Sequence, residues 1–283
     1  MIVSASYRTD IPAFYGDWFA GRLVAGFAEV RNPYGGPPGR IDLRPGAVDG
    51  FVFWTRNIAP MAPLLPELPA PFVVQYTAIG YPRVLDERVP DWEASVARMR
   101  ALADRFGPRA VVWRYDPIVI TSLTPPDWHR RQVAMLARAL EGATDEVCIS
   151  FVEPYRKTRR NLGRAAEAAP FDWIEPDPDQ KQKLADELAE IAGRHRIGLT
   201  ACTQPGLDAP PAACIDATRL SGVARRDIAA RQKGNRPGCL CAESRDIGAY
   251  DTCPHGCAYC YAVNDRARAV AAWKNHDART ETL

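Results

Sequence analysis

Apolar positions along this chain fall mainly in short consecutive runs. They occupy residues 2–6, 28–30, 50–54, 72–77, 110–115, 146–152 and 197–201. A run that is apolar on successive positions, rather than on alternate ones, is how a strand covered on both faces reads. Between the later runs the spacing changes. Residues 91–105 place Trp92, Val96, Met99 and Leu102 three or four apart, and 127–140 and 180–192 repeat the pattern. Strand, helix, strand in this order predicts βαβ units. Seven candidate strands predict an α/β fold built as a (βα) barrel, incomplete or irregular, with an open α/β sheet as the alternative. No internal repeat or low-complexity tract interrupts the pattern. After residue 222 the composition shifts, and 225–241 is basic and poor in apolar residues. Residues 1–222 therefore read as the barrel-like domain. Residues 223–283 read as a C-terminal cysteine-rich segment packed at the barrel mouth and ending in a helix near 264–273.

Composition narrows the class. Of 283 residues, 47% are hydrophobic and 25% charged, which excludes a disordered, collagenous or coiled-coil chain. Lys and Arg number 36 against 34 Asp and Glu, so no global field for polyanions exists. The opening MIVSASYRTD has no basic leader followed by an apolar stretch, and no run of about 18 apolar residues follows. A cytoplasmic protein without membrane contact is expected. In a reducing compartment, eight cysteines are better read as metal ligands or catalytic groups than as disulfides.

Residues at the carboxyl ends of barrel strands face the active site. Here those ends are polar: Tyr7, Arg8, Thr9 and Asp10; Arg31 and Asn32; Thr55, Arg56 and Asn57; Gln75 and Thr77; Arg114 and Asp116; Glu153, Tyr155 and Arg156. Arginines beside carboxylates form a cup able to clamp an anionic or hydrogen-bonding ligand. The plainer reading makes them the starts of solvated loops, with Asp10 or Asp116 as helix or turn caps. Arg8, Gln75, Arg114 and Glu153 are the better candidates, with Asp116 beside Arg114.

The sharpest motif is Cys253-Pro-His-Gly-Cys257-Ala-Tyr-Cys260. Thiols this close must converge on one loop. Three thiolates can hold three irons of a four-iron, four-sulfur (4Fe–4S) cluster, leaving the fourth iron open to a small ligand. Gly256 permits the tight bend that such a loop needs. The plainer readings are a structural zinc site or three incidental thiols. A zinc site normally shows two Cys-x2-Cys pairs or histidine partners, and His255 is poorly placed to join its neighbours on one ion.

The spacing, together with Tyr259 before the last cysteine, resembles the cluster loop of the radical S-adenosylmethionine superfamily. The resemblance implies that the aromatic residue lies against the adenine and that S-adenosylmethionine chelates the open iron. One-electron reduction then breaks a C–S bond to give a 5′-deoxyadenosyl radical. It also implies an electron donor such as ferredoxin or flavodoxin. That superfamily carries the loop after its first barrel strand, whereas here it comes near the C-terminus. The barrel is then permuted, or the cluster segment folds back over its mouth. The wider chain resembles a bacterial family known as domain of unknown function 1848, through residues 4–15, Trp113-Arg-Tyr-Asp-Pro117, Cys214-Ile-Asp216, Cys239-Leu-Cys241, Asp246-Ile-Gly-Ala-Tyr250 and Cys260-Tyr-Ala262.

Cys202, Cys214, Cys239 and Cys241 form a possible second set, suited to an auxiliary iron–sulfur cluster or to zinc. The plainer reading makes Cys202 and Cys214 small buried hydrophobes. Cys148, inside an apolar run, reads as core. Two basic runs, 155–164 and 225–236, hold five cations each. They read as solvated surface or as a means of steering a phosphate-bearing substrate. Through the superfamily resemblance, analogy with a DNA-repair member, spore photoproduct lyase, admits nucleic acid as a partner. No helix–turn–helix, zinc-finger or RNA-binding signature accompanies it. The leading expectation is an iron–sulfur enzyme of radical S-adenosylmethionine type. Its competitors are a zinc-stabilised nucleic-acid-binding module and an iron–sulfur redox sensor or electron carrier.

Overall fold

A computed structural model describes residues 1–32 and 35–283. Seven parallel strands form the central sheet: β1 (Ile2–Ser4), β2 (Gly50–Thr55), β3 (Phe72–Thr77), β4 (Val111–Ile118), β5 (Glu146–Phe151), β6 (Gly198–Ala201) and β7 (Ser244–Asp246). Their order across the sheet is β6-β5-β4-β3-β2-β1-β7. The first six strands thus lie in chain order and the last returns beside the first. A barrel opened between β6 and β7 has this order, and no ladder joins those two edges among the described residues. Closure of the barrel is therefore not observed.

Six of the seven expected strands are in the sheet. The run at 28–30 is not: Phe27–Val30 pairs antiparallel with Gly39–Asp42 in a separate ribbon. Its place is taken by β7, Ser-Arg-Asp, which carries no apolar side chain and lies in the segment read as an appendage. Among the described residues the α-helices are α1 (Ile11–Phe14), α2 (Gly16–Ala25), α3 (Trp92–Phe106), α4 (Pro126–Leu140), α5 (Arg156–Ala168), α6 (Pro178–Gly193), α7 (Ala217–Ala224) and α8 (Arg266–Lys274). Local chemistry fixes their ends. Asp177 and Gln180 form a reciprocal capping box around Pro178, which is why α6 starts before its periodic residues.

Side chains alternate between the two faces of the sheet. Val3, Phe51, Phe53, Phe72, Val74, Trp113, Val147 and Ile149 belong to the larger core, which includes the buried faces of α1 to α6. Ile2, Val52, Val73, Val112 and Cys148 belong to a second cluster with Cys202, Cys214, Ile215, Leu220 and Cys241. The second face is thus covered by the connection from β6 to β7. Within it, α7 is pinned beside the starts of β4 and β5. Arg219 donates to the Arg109 carbonyl at 3.0 Å, to Asp145 at 2.8 Å and to Glu146 at 2.6 Å. The opposite, carboxyl ends of the strands carry the polar residues. No helix among the described residues is long and apolar enough to cross a membrane.

One histidine, His129, sits behind the sheet in the larger core. His129 is fully buried; its Nδ1 lies 2.7 Å from the Tyr115 hydroxyl and its Nε2 lies 3.2 Å from the Val119 carbonyl. A carbonyl only accepts, so Nε2 carries the proton and Nδ1 accepts from Tyr115. Burial pushes its pKa down from 6.5 to about 4. The unfolded chain then takes up this proton first as pH falls. Stability from the neutral ring is complete above about 6.5 and declines through the window down to about 4, by on the order of 3 kcal/mol. Urea unfolding midpoints measured across that window are expected to fall with pH, and to fall less steeply in His129→Gln.

Candidate functional site

The junction of β1 and β7 is held by one buried carboxylate. Asp246 accepts from the Ser4 hydroxyl at 2.6 Å, the Ser6 hydroxyl at 2.8 Å, the Tyr7 amide at 3.1 Å and the Gly248 amide at 2.9 Å. Arg8 adds a charge-assisted bond, Nε to Oδ1 at 2.8 Å, and also donates to the Asp246 carbonyl at 3.0 Å. A polar strand that no hydrophobic pattern marks is thereby fixed at the sheet edge.

The chain leaves β7 directly into the loop of Cys253, Cys257 and Cys260. Several anchors hold that loop against the ends of β1 and β2. His255 Nε2 is 2.8 Å from Asp10 Oδ2, and Asp10 also accepts from the Thr55 hydroxyl at 2.7 Å and the Arg56 amide at 2.8 Å. The Tyr259 hydroxyl donates to Asp86 at 2.6 Å and accepts from Arg56, which itself pairs with Asp86 at 2.6 Å. Main-chain bonds from Arg88 to the His255 carbonyl (3.0 Å) and from Ala258 to the Leu85 carbonyl (2.9 Å) complete the attachment. Burial pushes all three loop thiols up, while Arg56 opposes the shift at Cys257 and Cys260. Backbone N–H groups of His255 and Asp10 favour the Cys253 thiolate, and those of Ala262 and Val263 favour Cys260.

A second thiol set lies on the inner face of the sheet. The sulfurs of Cys148, Cys202 and Cys214 are all within 4.8 Å of one another, a set that could hold a metal ion. Cys202 and Cys214 are 3.3 Å apart. Arg114 donates to the Cys214 sulfur at 2.9 Å, to Gln75 Oε1 at 3.2 Å and to Asp116 at 3.0 Å. Gln75 in turn donates to the Cys214 carbonyl at 2.9 Å, and Ser150 hydrogen-bonds the other oxygen of Asp116. Hydrogen bonds from Cys148 and Cys202, with Arg114 beside them, hold the Cys214 thiol below its ordinary range. The loop thiols do not meet the same close spacing. Among the described residues, only the inner set does.

The sequence from residue 2 to residue 262 matches the domain of unknown function DUF1848. The chain belongs to the DUF1848 family. No curated protein and no solved structure has detectable similarity to it. The matched span contains every strand of the sheet and both thiol sets, so both lie inside the DUF1848 region and only α8 and the tail lie beyond it.

Within this DUF1848 chain the other sequence candidates separate. Arg8, Arg56 and Arg114 are buried, and each is committed to a carboxylate: Asp246, Asp86 and Asp116. These three arginines of the polar cup are thus paired rather than free to clamp an anion. Glu153 is exposed and stands outside it. Tyr259 is 6% exposed, its ring edge-on to Tyr81 at 5.5 Å. Cys241 is buried and Cys239 half-buried, both packed in the second cluster. Cys148 corrects the sequence reading. It is buried as expected, yet it faces the inner thiols because it pairs in register with Arg114 on β4 and Thr200 on β6. That signal requires the strand order and cannot be read from an apolar run. Asp246 and Asp86 escaped notice as site residues for the same reason, since their partners lie far away in sequence, whereas Asp10 is both the α1 cap the sequence allowed, accepting from the Ala13 amide at 3.0 Å, and the partner of His255. The basic run 155–164 is largely helix α5, and it touches the thiol loop's exit: Lys157 donates to the Tyr261 carbonyl at 3.1 Å and Arg160 to that of Asn264 at 2.6 Å.

Gly256 sits at φ +79, with room for a Cβ limited by Arg266 Nε at 2.9 Å. The arginine tip can move, whereas the left-handed backbone cannot be relieved. Gly256→Ala is expected to cost about 1–2 kcal/mol, read as a lowered denaturation midpoint.

Proposed function

We propose that this chain is an iron–sulfur enzyme of radical S-adenosylmethionine type. In this reading Cys253, Cys257 and Cys260 hold a 4Fe–4S cluster. The observation that carries it is the loop's position. It leaves the carboxyl end of β7, and β7 is an edge strand beside β1. Read in space rather than along the chain, the thiol loop follows the first strand of the sheet, and α8 follows the loop. The late position of the motif then corresponds to a permuted order of βα units, the arrangement that the resemblance needs.

The residues present suit the group. A single tetrahedral ion with Zn–S of about 2.3 Å holds its sulfurs about 3.8 Å apart. Thiolates on separate irons of a cube stand further apart, and the three loop thiols are not all within 4.8 Å of one another. Buried thiols with backbone N–H groups aimed at two of them are suited to stabilise charged sulfur ligands. When bound, the cluster would supply the one-electron reduction that cleaves S-adenosylmethionine. The chain's own residues hold the loop still. Asp10 fixes His255, and Asp86 with Arg56 fixes Tyr259, the residue this reading places beside the adenosyl group. In this reading Arg8, Gln75, Arg114 and Asp116, near the carboxyl ends of the strands, are the candidate groups for an organic substrate. The electron comes from a small reductant such as ferredoxin or flavodoxin.

The test is anaerobic purification and reconstitution, followed by reduction and addition of S-adenosylmethionine. A perturbed cluster EPR spectrum and 5′-deoxyadenosine as product are the expected results. Zinc without iron or sulfide at the loop would end this reading in favour of a metal-stabilised module. An iron–sulfur signal indifferent to S-adenosylmethionine would replace it with a sensor or electron carrier.

A further inference from the structure

We propose that Cys148, Cys202, Cys214 and Cys241 bind one zinc ion, which clasps the open side of the sheet. This site is separate from the loop thiols and does not depend on the reaction proposed for them.

The argument begins with spacing. Three sulfurs lie within 4.8 Å of one another, and two of them are 3.3 Å apart. Sulfurs on one tetrahedral zinc are about 3.8 Å apart, so small side-chain adjustments bring the set onto a single ion. A second cube would need its thiolates spread more widely. The fourth ligand comes from the same cluster. Cys241 is 4% exposed, its thiol interacts with that of Cys214, and its sulfur accepts from the Ile215 amide at 3.4 Å. An all-sulfur donor set without histidine or carboxylate suits a soft or borderline metal and excludes magnesium or calcium.

The surroundings fit a negatively charged thiolate centre. Four thiolates on Zn²⁺ carry a net charge of about −2. Arg114 donates to Cys214 at 2.9 Å, and Arg236 interacts with Cys202. Such outer partners orient metal ligands and offset their charge. Four protein sulfurs also close the coordination sphere, which marks a structural rather than a catalytic ion. Each thiol releases its proton on binding, and no oxidation is involved.

The positions of the four cysteines give the ion its role. Cys148 is on β5, Cys202 immediately follows β6, Cys214 precedes α7, and Cys241 lies three residues before β7. They come from both sides of the gap that no ladder closes. The connection between Cys202 and β7 contains only α7 and isolated bridges among its described residues. A cross-link there does what backbone pairing does elsewhere in the sheet.

The test uses full-length chain purified anaerobically, analysed for zinc, iron and sulfide. A variant with Cys253, Cys257 and Cys260 all changed to serine is expected to lose its iron and retain one zinc per chain. Zinc-edge X-ray absorption of that variant is expected to show a sulfur-only first shell. The same measurement on the unaltered chain reads the site if the triple variant does not fold. Cobalt, supplied in place of zinc, is expected to give thiolate charge-transfer and tetrahedral ligand-field bands. Cys202→Ser with Cys214→Ser is expected to lose the zinc. The proposal is overturned by iron and sulfide remaining in the triple variant, by oxygen or nitrogen in the zinc shell, or by a metal-free Cys202–Cys214 disulfide. None of these outcomes depends on whether S-adenosylmethionine is cleaved.

Discussion

Cys257→Ser is expected to reduce loop-bound iron to background and 5′-deoxyadenosine to the level of a protein-free control. Serine keeps the size of the side chain, so the fold has little reason to change. The anchors around it remain: Ala258 stays bonded to the Leu85 carbonyl at 2.9 Å, and Tyr259 stays tied to Asp86 at 2.6 Å. What is lost is the thiolate, the only form that binds iron strongly here. Iron and sulfide analysis of the purified variant checks the first effect, and chromatography of the reaction mixture checks the second. Circular dichroism matching the unaltered chain would show that the loss is one of chemistry rather than folding. Iron retained at its original level would remove Cys257 from the ligand set.

Asp246→Ala is expected to produce the largest loss of stability. The carboxylate side chain is only 5% exposed, and it is the ion-pair partner of an Arg8 side chain that is 9% exposed. Removing it leaves a buried guanidinium uncompensated, which costs about 3–5 kcal/mol. Two serine hydroxyls and two amides lose their acceptor as well. For a chain of this size the thermal midpoint should fall by roughly 5–8 °C. Thermal unfolding followed by circular dichroism measures this. Replacing Arg8 with methionine in the same chain is expected to recover part of the loss, because the stranded charge goes with it. If Asp246→Ala melts within about 2 °C of the parent, the carboxylate does not hold the sheet edge.

The contrast between β2 and β7 shows what was legible in the sequence. Phe51, Val52 and Phe53 announce a strand by themselves, because both faces of that strand are covered by apolar groups. Ser244, Arg245 and Asp246 announce nothing. Their reason for pairing is the set of donors on Ser4, Ser6 and Arg8, more than 230 residues away. The ribbon strand Phe27–Val30 is the converse case. Its apolar content is that of a sheet strand, yet its partner is a neighbouring hairpin arm. The loop thiols were legible because their spacing confines them to one turn of chain. The inner thiols were only partly so. Cys202 and Cys214 could be grouped by residue type, but the place of Cys148 among them follows from β4, β5 and β6 being neighbours in a fixed register. Helix α5 hid behind its charges, since only Thr158 and Leu162 along it are buried.

The pairing of β7 with β1 also sets a schedule. Ile2–Ser4 is made long before its partner Ser244–Asp246. Until Ser244–Asp246 has been made, one side of β1 offers unpaired N–H and C=O groups to any passing chain, a recognised hazard for aggregation. The thiol loop emerges later still. A cluster held there, as proposed, would therefore be loaded on a body whose sheet strands have already been made.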